Sequence, residues 1–213
     1  MFIRLLLLTA LLWTTAAWAA KPVILVLGDS LSAGYGVATG KGWVALLAQR
    51  LQDEHYDYRV VNASISGNTT RSGVARLPAA LHAYQPQVVV IELGGNDGLQ
   101  GLTIPQMRDN LARAIEDARR AGAGVLLAGV RLPPNYGPAY NQRFHAVYQE
   151  LAHRYRTAYV PYLLAGVDDK PALMQDDGIH PNAAGQPRIL DNVWPHLKPL
   201  LQHGRAPDRH PAH

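Results

Sequence analysis

The chain has 213 residues, 48% of them hydrophobic and 17% charged, which suits one domain around one substantial core and excludes a disordered or fibrous protein. It has no cysteine, so disulfides, thiolate nucleophiles and cysteine metal sites are ruled out. The formal net charge is +4, but the basic residues are scattered and make no electrostatic footprint for nucleic acid.

Residues 1–19 read as a cleaved secretory signal peptide. Arg4 supplies a positive start, Leu5 to Trp13 an apolar stretch, and Ala17, Trp18 and Ala19 a small-x-small cleavage pattern. The apolar run is about half the roughly 20 residues that a membrane span needs, and no later segment is long or apolar enough to cross a bilayer. The expectation is therefore periplasmic export, with no stable membrane insertion after cleavage. Without Arg4 the chain keeps 19 Lys and Arg against 16 Asp and Glu.

Val23 to Leu27 is a run of five apolar residues, read as a buried parallel strand, and Gly28 to Gly36 turns away from it. Ser30 stands on that turn. Ligands of open α/β sheets bind beyond the carboxyl ends of the strands, so a hydroxyl there is placed for chemistry; otherwise Asp29 and Ser30 simply cap the next helix. Trp43, Leu46, Leu47 and Leu51 mark an amphipathic helix, Arg59 to Asn62 a short second strand, and Ala63 to Thr70 a turning loop with Ser64, Ser66, Gly67 and Asn68.

A helix broken around Pro78 leads to a third strand, Val88 to Ile91, which ends in a second glycine-rich turn, Gly94 to Gly98. Met107, Leu111, Ala114, Ile115 and Ala118 predict a helix, and Val125 to Val130 a fourth strand. After a proline-rich loop, Arg131 to Pro138, the stripe Tyr140, Phe144, Val147, Tyr148, Leu151 and Tyr155 reads as core. Thr157 to Pro161 predicts a short fifth strand, Asp168 to Pro181 an irregular loop, and Ile189 to Leu197 a last helix kinked at Pro195. Residues 204–213 lack periodicity and read as a disordered tail, whose His210 and His213 are solvated rather than metal-binding. The alternation of strand and helix gives a three-layer α/β domain.

A serine nucleophile needs a base, and the base needs a group to fix its tautomer. His55, His82, His145, His153 and His196 lie on or beside predicted helices and read as surface or packing residues. His180 differs, because its loop falls at the carboxyl edge of the sheet. Asp177 stands three residues before it, with Gly178 and Pro181 shaping a turn that brings the carboxylate toward Nδ1 and leaves Nε2 for Ser30. Donors for a developing oxyanion are available at the Ser30 and Gly67 backbone N–H groups and the Asn96 amide, on three converging loops.

The set Gly28-Asp29-Ser30-Leu31, Gly67, Gly94-Gly95-Asn96-Asp97 and Asp177-x-x-His180 resembles the four sequence blocks of the SGNH, or GDSL, hydrolases. Within that family it is most similar to the periplasmic thioesterase and lysophospholipase group, over about residues 22–201. The resemblance implies a hydrolase domain over 20–203, with a flavodoxin-like fold and a five-stranded parallel sheet in the order 2-1-3-4-5. It implies Ser30 as nucleophile, His180 as general base and acid, Asp177 as its orienter, Ser30, Gly67 and Asn96 as oxyanion hole, and a structural Asp29.

It also implies an acyl groove shaped by the loops 98–102 and 131–138, with Gly98, Leu99, Leu132 and Pro134 touching substrate. The expected activity is hydrolysis of acyl esters, thioesters or lysophospholipids by a monomer with no cofactor or metal. Two other readings stay open: a carbohydrate O-deacetylase on the same fold, and a non-catalytic flavodoxin-like module cradling a phosphate or flavin at Gly28 to Ser32.

Overall fold

The strand Val23–Gly28 (β1) is apolar throughout because it is covered on both sides, and its residues alternate between two helical layers. In the computed structural model, which describes residues 21–201, Leu25 and Leu27 point into one core and Ile24 and Val26 into the other. The signal-peptide reading of 1–19 and the tail reading of 204–213 lie outside the described residues.

After β1 come the short helix Ser30–Ala33 (α1), Trp43–Asp53 (α2), Arg59–Asn62 (β2), Thr70–Tyr84 (α3) and Val88–Glu92 (β3). Gly95–Leu99 (α4), Ile104–Arg120 (α5), Gly124–Ala128 (β4), Pro138–Tyr155 (α6), Ala158–Val160 (β5) and Gln186–Leu197 (α7) complete the chain. The five strands are parallel in the order β2-β1-β3-β4-β5, so the fold is the expected flavodoxin-like one. Helices α3, α5 and α6 cover one face through Leu77, Leu111, Phe144 and Tyr148, and α2 and α7 cover the other through Trp43, Leu47, Ile189 and Val193. The chain leaves β1 toward β2 on one side and returns to β3 on the other. Ser30 therefore sits at the switch point, where such sheets open a crevice.

Several local expectations are corrected. Helix α3 runs unbroken through Pro78, because Val74, Leu77 and Leu81 on either side of it are buried in one core and outweigh the lost backbone bond. The glycine-rich segment after β3 is a one-turn helix, α4, rather than a turn. Strand β4 ends at Ala128, and Val130 lies beyond it as a buried residue of the crevice wall. The stretch 168–181 is ordered by a 3-10 turn at Pro171–Leu173 and a bridge between Met174 and Pro181.

Candidate active site

Asp29, 2% exposed, caps α1 by accepting the Leu31 N–H at 3.0 Å, and this leaves Ser30 as the first helical residue at the rim of the sheet. The capping reading of Asp29 holds. It coexists with a second connection, because His180 Nε2 lies 2.9 Å from Ser30 Oγ and His180 Nδ1 lies 2.7 Å from Asp177 Oδ2. A carboxylate can only accept, so Nδ1 carries the proton; in the neutral ring Nε2 then accepts from the Ser30 hydroxyl.

Asp177 shapes its own turn, since its Oδ1 accepts the backbone N–H groups of Ile179 and His180, both at 2.9 Å. Partial burial works to raise its pKa, but these bonds and the His180 ring together outweigh it and hold the carboxyl at about 2. It is a carboxylate at neutral pH.

The loop between β2 and α3 is braced from below by Arg76. Its Nε donates to Asn68 Oδ1 at 2.8 Å, and its other nitrogens reach the carbonyls of Ala63 and Gly28. Gly67 stands in this loop at φ 81°, a left-handed conformation that suits glycine. Neither its N–H nor that of Ser30 has an acceptor among the described residues. Asn96, the third expected donor, sends Nδ2 to Asp29 Oδ2 at 3.2 Å and to the Asn68 carbonyl at 3.1 Å. Next to it, buried Asp97 accepts the Thr70 N–H at 2.7 Å and the Thr70 hydroxyl, so α4 is fastened to the start of α3.

Under the Ser30 turn lies a group that the sequence reading passed over. Glu92, fully buried at the end of β3 and in register with Gly28, accepts the Ser32 hydroxyl at 2.6 Å and the Asp29 N–H at 3.3 Å on Oε2. Its Oε1 has no hydrogen-bond partner among the described residues. Burial, then the nearby Asp29 charge, push the Glu92 carboxyl well up, and burial likewise raises Asp29 to about 6. The close approach explains Gly28, where a Cβ would stand 2.7 Å from both Glu92 Oε2 and Ser32 Cβ.

Ser30 and His180 open onto a cleft of about 840 Å³ whose walls include Leu31, Leu99, Val130, Leu132, Pro134 and Ile179. Leu99, Leu132 and Pro134 thus line it as the sequence suggested, but Gly98 does not. It lies behind the wall, where a Cβ would come within 2.4 Å of Leu132 Cδ1. His145, read as a packing residue, also lines the cleft; its Nδ1 donates to the Val130 carbonyl at 3.2 Å, and burial lowers its pKa.

Residues 26–188 match the GDSL-like lipase/acylhydrolase family. The chain is 58% identical over 183 residues to "Esterase TesA" of Pseudomonas aeruginosa, covering 86% of this chain and 91% of that protein. It is 46% identical to "Thioesterase 1/protease 1/lysophospholipase L1" of Escherichia coli K12, covering 87% and 88%. The crystal structure of TesA superposes with a TM-score of 0.82 at 58% identity, covering 84% of this chain and 99% of that one. The family match runs from within β1 through β5 and takes in the loops carrying Ser30, Gly67, Asn96 and His180, and the chain belongs to the GDSL-like lipase/acylhydrolase family.

Proposed function

We propose that the protein is a serine esterase that hydrolyses acyl esters and thioesters through an acyl-Ser30 intermediate. The observation that carries this reading is the unbroken bonded series Ser30 Oγ, His180 Nε2, His180 Nδ1 and Asp177 Oδ2 at the mouth of an apolar cleft. The names of its relatives, an esterase and a thioesterase/lysophospholipase, support the same class.

Ser30 Oγ attacks the acyl carbonyl as its proton passes to His180 Nε2, and ionised Asp177 stabilises the imidazolium that results. The oxygen that becomes negative is met by the Ser30 and Gly67 N–H groups, which have no other acceptor among the described residues. Asn96 joins them by turning toward it the hydrogen now spent on the Asn68 carbonyl. Collapse expels the alcohol or thiol, with His180 returning the proton where the leaving group needs it. Water then repeats the sequence on the acyl-enzyme.

The apolar walls hold an acyl chain better than a sugar, which sets this reading above a carbohydrate O-deacetylase. The Gly28 to Ser32 turn is closed underneath by the buried Glu92 carboxyl, which leaves no cradle for a phosphate and disfavours the binding module. Residues 1–19 carry the proposal of export to the periplasm, and the enzyme is proposed to act as a monomer.

A p-nitrophenyl ester series from acetyl to palmitoyl, run beside labelling with a serine-directed phosphonate, tests the reading. Wild type is expected to hydrolyse the series and take up one phosphonate at Ser30. Ser30→Ala is expected to lose about a thousandfold or more in kcat and to resist labelling. Full activity in the folded Ser30→Ala protein would overturn the assignment, and activity confined to the acetyl ester would favour a deacetylase.

A further inference from the structure

The two halves of the site come from distant parts of the chain, and something must hold them in register. Among the described residues, two hydrogen bonds join the tip of the late loop, residues 175–181, to the Ser30 turn, residues 28–36. One is the His180–Ser30 contact itself. The other is Gln175 Nε2 donating to the Tyr35 carbonyl at 2.8 Å, across 140 residues.

The same nitrogen donates to the Pro181 carbonyl at 3.0 Å, and the Gln175 backbone N–H donates to the His180 carbonyl at 2.8 Å. Both acceptors are carbonyls, so each amide hydrogen is committed to one of them; a flipped amide would set its oxygen against two others. On the far side, the Tyr35 N–H donates to the Ser30 carbonyl at 3.1 Å, and the Tyr35 ring lies 4.6 Å from the His180 ring between centroids.

The turn is built around this amide. Gly36 stands at φ 69°, and a Cβ there would fall 2.1 Å from Gln175 Oε1, so no side chain is tolerated opposite it. The other polar ties of the late segment act elsewhere. Asn182 bonds to Ala172 and Met174 within the same segment, and Gln186 accepts the Trp43 N–H at the start of α2.

We infer that Gln175 is a positioning residue: its carboxamide straps the His180 loop to the Ser30 turn and so sets the distance over which the hydroxyl proton is passed. The inference rests on the reading of Ser30 and His180 given above. Gln175 touches neither substrate nor the reacting atoms. It acts through Tyr35 on one side and through His180 and Pro181 on the other. Its loss therefore slows chemistry while leaving the cleft walls, and so substrate binding, in place.

Gln175→Met keeps length and removes both donors; Gln175→Glu keeps shape and faces two carbonyls with a charged oxygen. For p-nitrophenyl butyrate, the Met variant is expected to lose roughly 10- to 100-fold in kcat, with KM changed less than about threefold. The phosphonate inactivation rate should fall by the same factor, because that reaction also needs His180 to take the Ser30 proton. The Glu variant is expected to lose at least as much. A kcat within about twofold of wild type in the Met variant would overturn the inference, as would a loss expressed in KM. Insolubility of both variants would overturn it too, since the strap would then serve the fold rather than the register. These failures are separate from that of the parent reading, which falls only if Ser30→Ala stays active.

Discussion

His180 Nε2 stands 2.9 Å from Ser30 Oγ, although 150 residues separate them, and the ring reaches that point with its other nitrogen already committed to Asp177. The bonded series proposed as the proton path is thus assembled in the free protein. Asp177→Asn tests it. The new Oδ1 keeps the Ile179 and His180 N–H bonds, but an amide NH₂ facing Nδ1 forces the proton onto Nε2, where it can no longer accept from Ser30. A fall in kcat of about a hundredfold or more, with little change in melting temperature, is expected from ester assays and thermal melts run together.

The buried Glu92 carboxyl gives the fold a pH signature. Burial and then the Asp29 charge hold it well above 4.5, against the bonds from Ser32 and the Asp29 N–H; Tyr148, on α6, is a further ionisable group that feels its charge. In the unfolded chain the group ionises near 4.5, so above that pH the unfolded state sheds its proton first. The stability carried by the protonated form is complete below 4.5 and is lost as pH rises through the higher folded pKa. Asp29, raised to about 6, acts in the same direction. Glutamine cannot ionise, so the stability of Glu92→Gln relative to wild type should improve steadily between about pH 4 and pH 8. Urea titrations across that range check the sign; a flat difference would mean that Glu92 does not titrate on unfolding.

Tyr148, on α6, supports the segment that leads from β3 into α4. Its buried hydroxyl donates to the Leu93 carbonyl at 2.9 Å, and Gly94, at φ 127°, leaves no room for a Cβ beside it. Tyr148→Phe strands that carbonyl away from water and should cost about 1–3 kcal/mol in urea unfolding at unchanged slope. KM for short esters should stay within about twofold, because Tyr148 does not line the cleft.

Gly98 offers a handle on acyl length. An alanine methyl there would meet Leu132 Cδ1 at 2.4 Å and displace that side chain into the cleft. In Gly98→Ala, kcat/KM for a long-chain p-nitrophenyl ester should fall about tenfold while the acetyl ester changes less than about twofold. An ester-length profile of the purified variant reads this directly.

The central strands were legible in the sequence because Val23 to Leu27 and Val88 to Ile91 are apolar on every residue, as in a sheet covered on both sides, whereas the strand order was legible only through the family resemblance. Ser30, Asp177 and His180 were legible because each sits where such a strand, or its partner loop, must end. The supporting groups were not. Glu92 closes an apolar strand and looks like its exposed end, and only the register with Gly28 reveals it as buried beneath the turn. Gln175 has no local signature, since its meaning lies in a carbonyl 140 residues away. Pro78 misled for the reverse reason: the local rule against proline in a helix yielded to the packing of its neighbours.

Much of the apolar cleft wall is carried on stretches of chain other than those that bear Ser30 and His180, although Leu31 and Ile179 add to it from beside them. Leu99, Val130, Leu132 and Pro134 follow β3 and β4, whereas Ser30, Asp177 and His180 follow β1 and β5. Under the proposed mechanism, substitutions in the loops after β3 and β4 can therefore reshape most of the apolar wall for a new acyl group while the Ser30–His180–Asp177 series stays as it is.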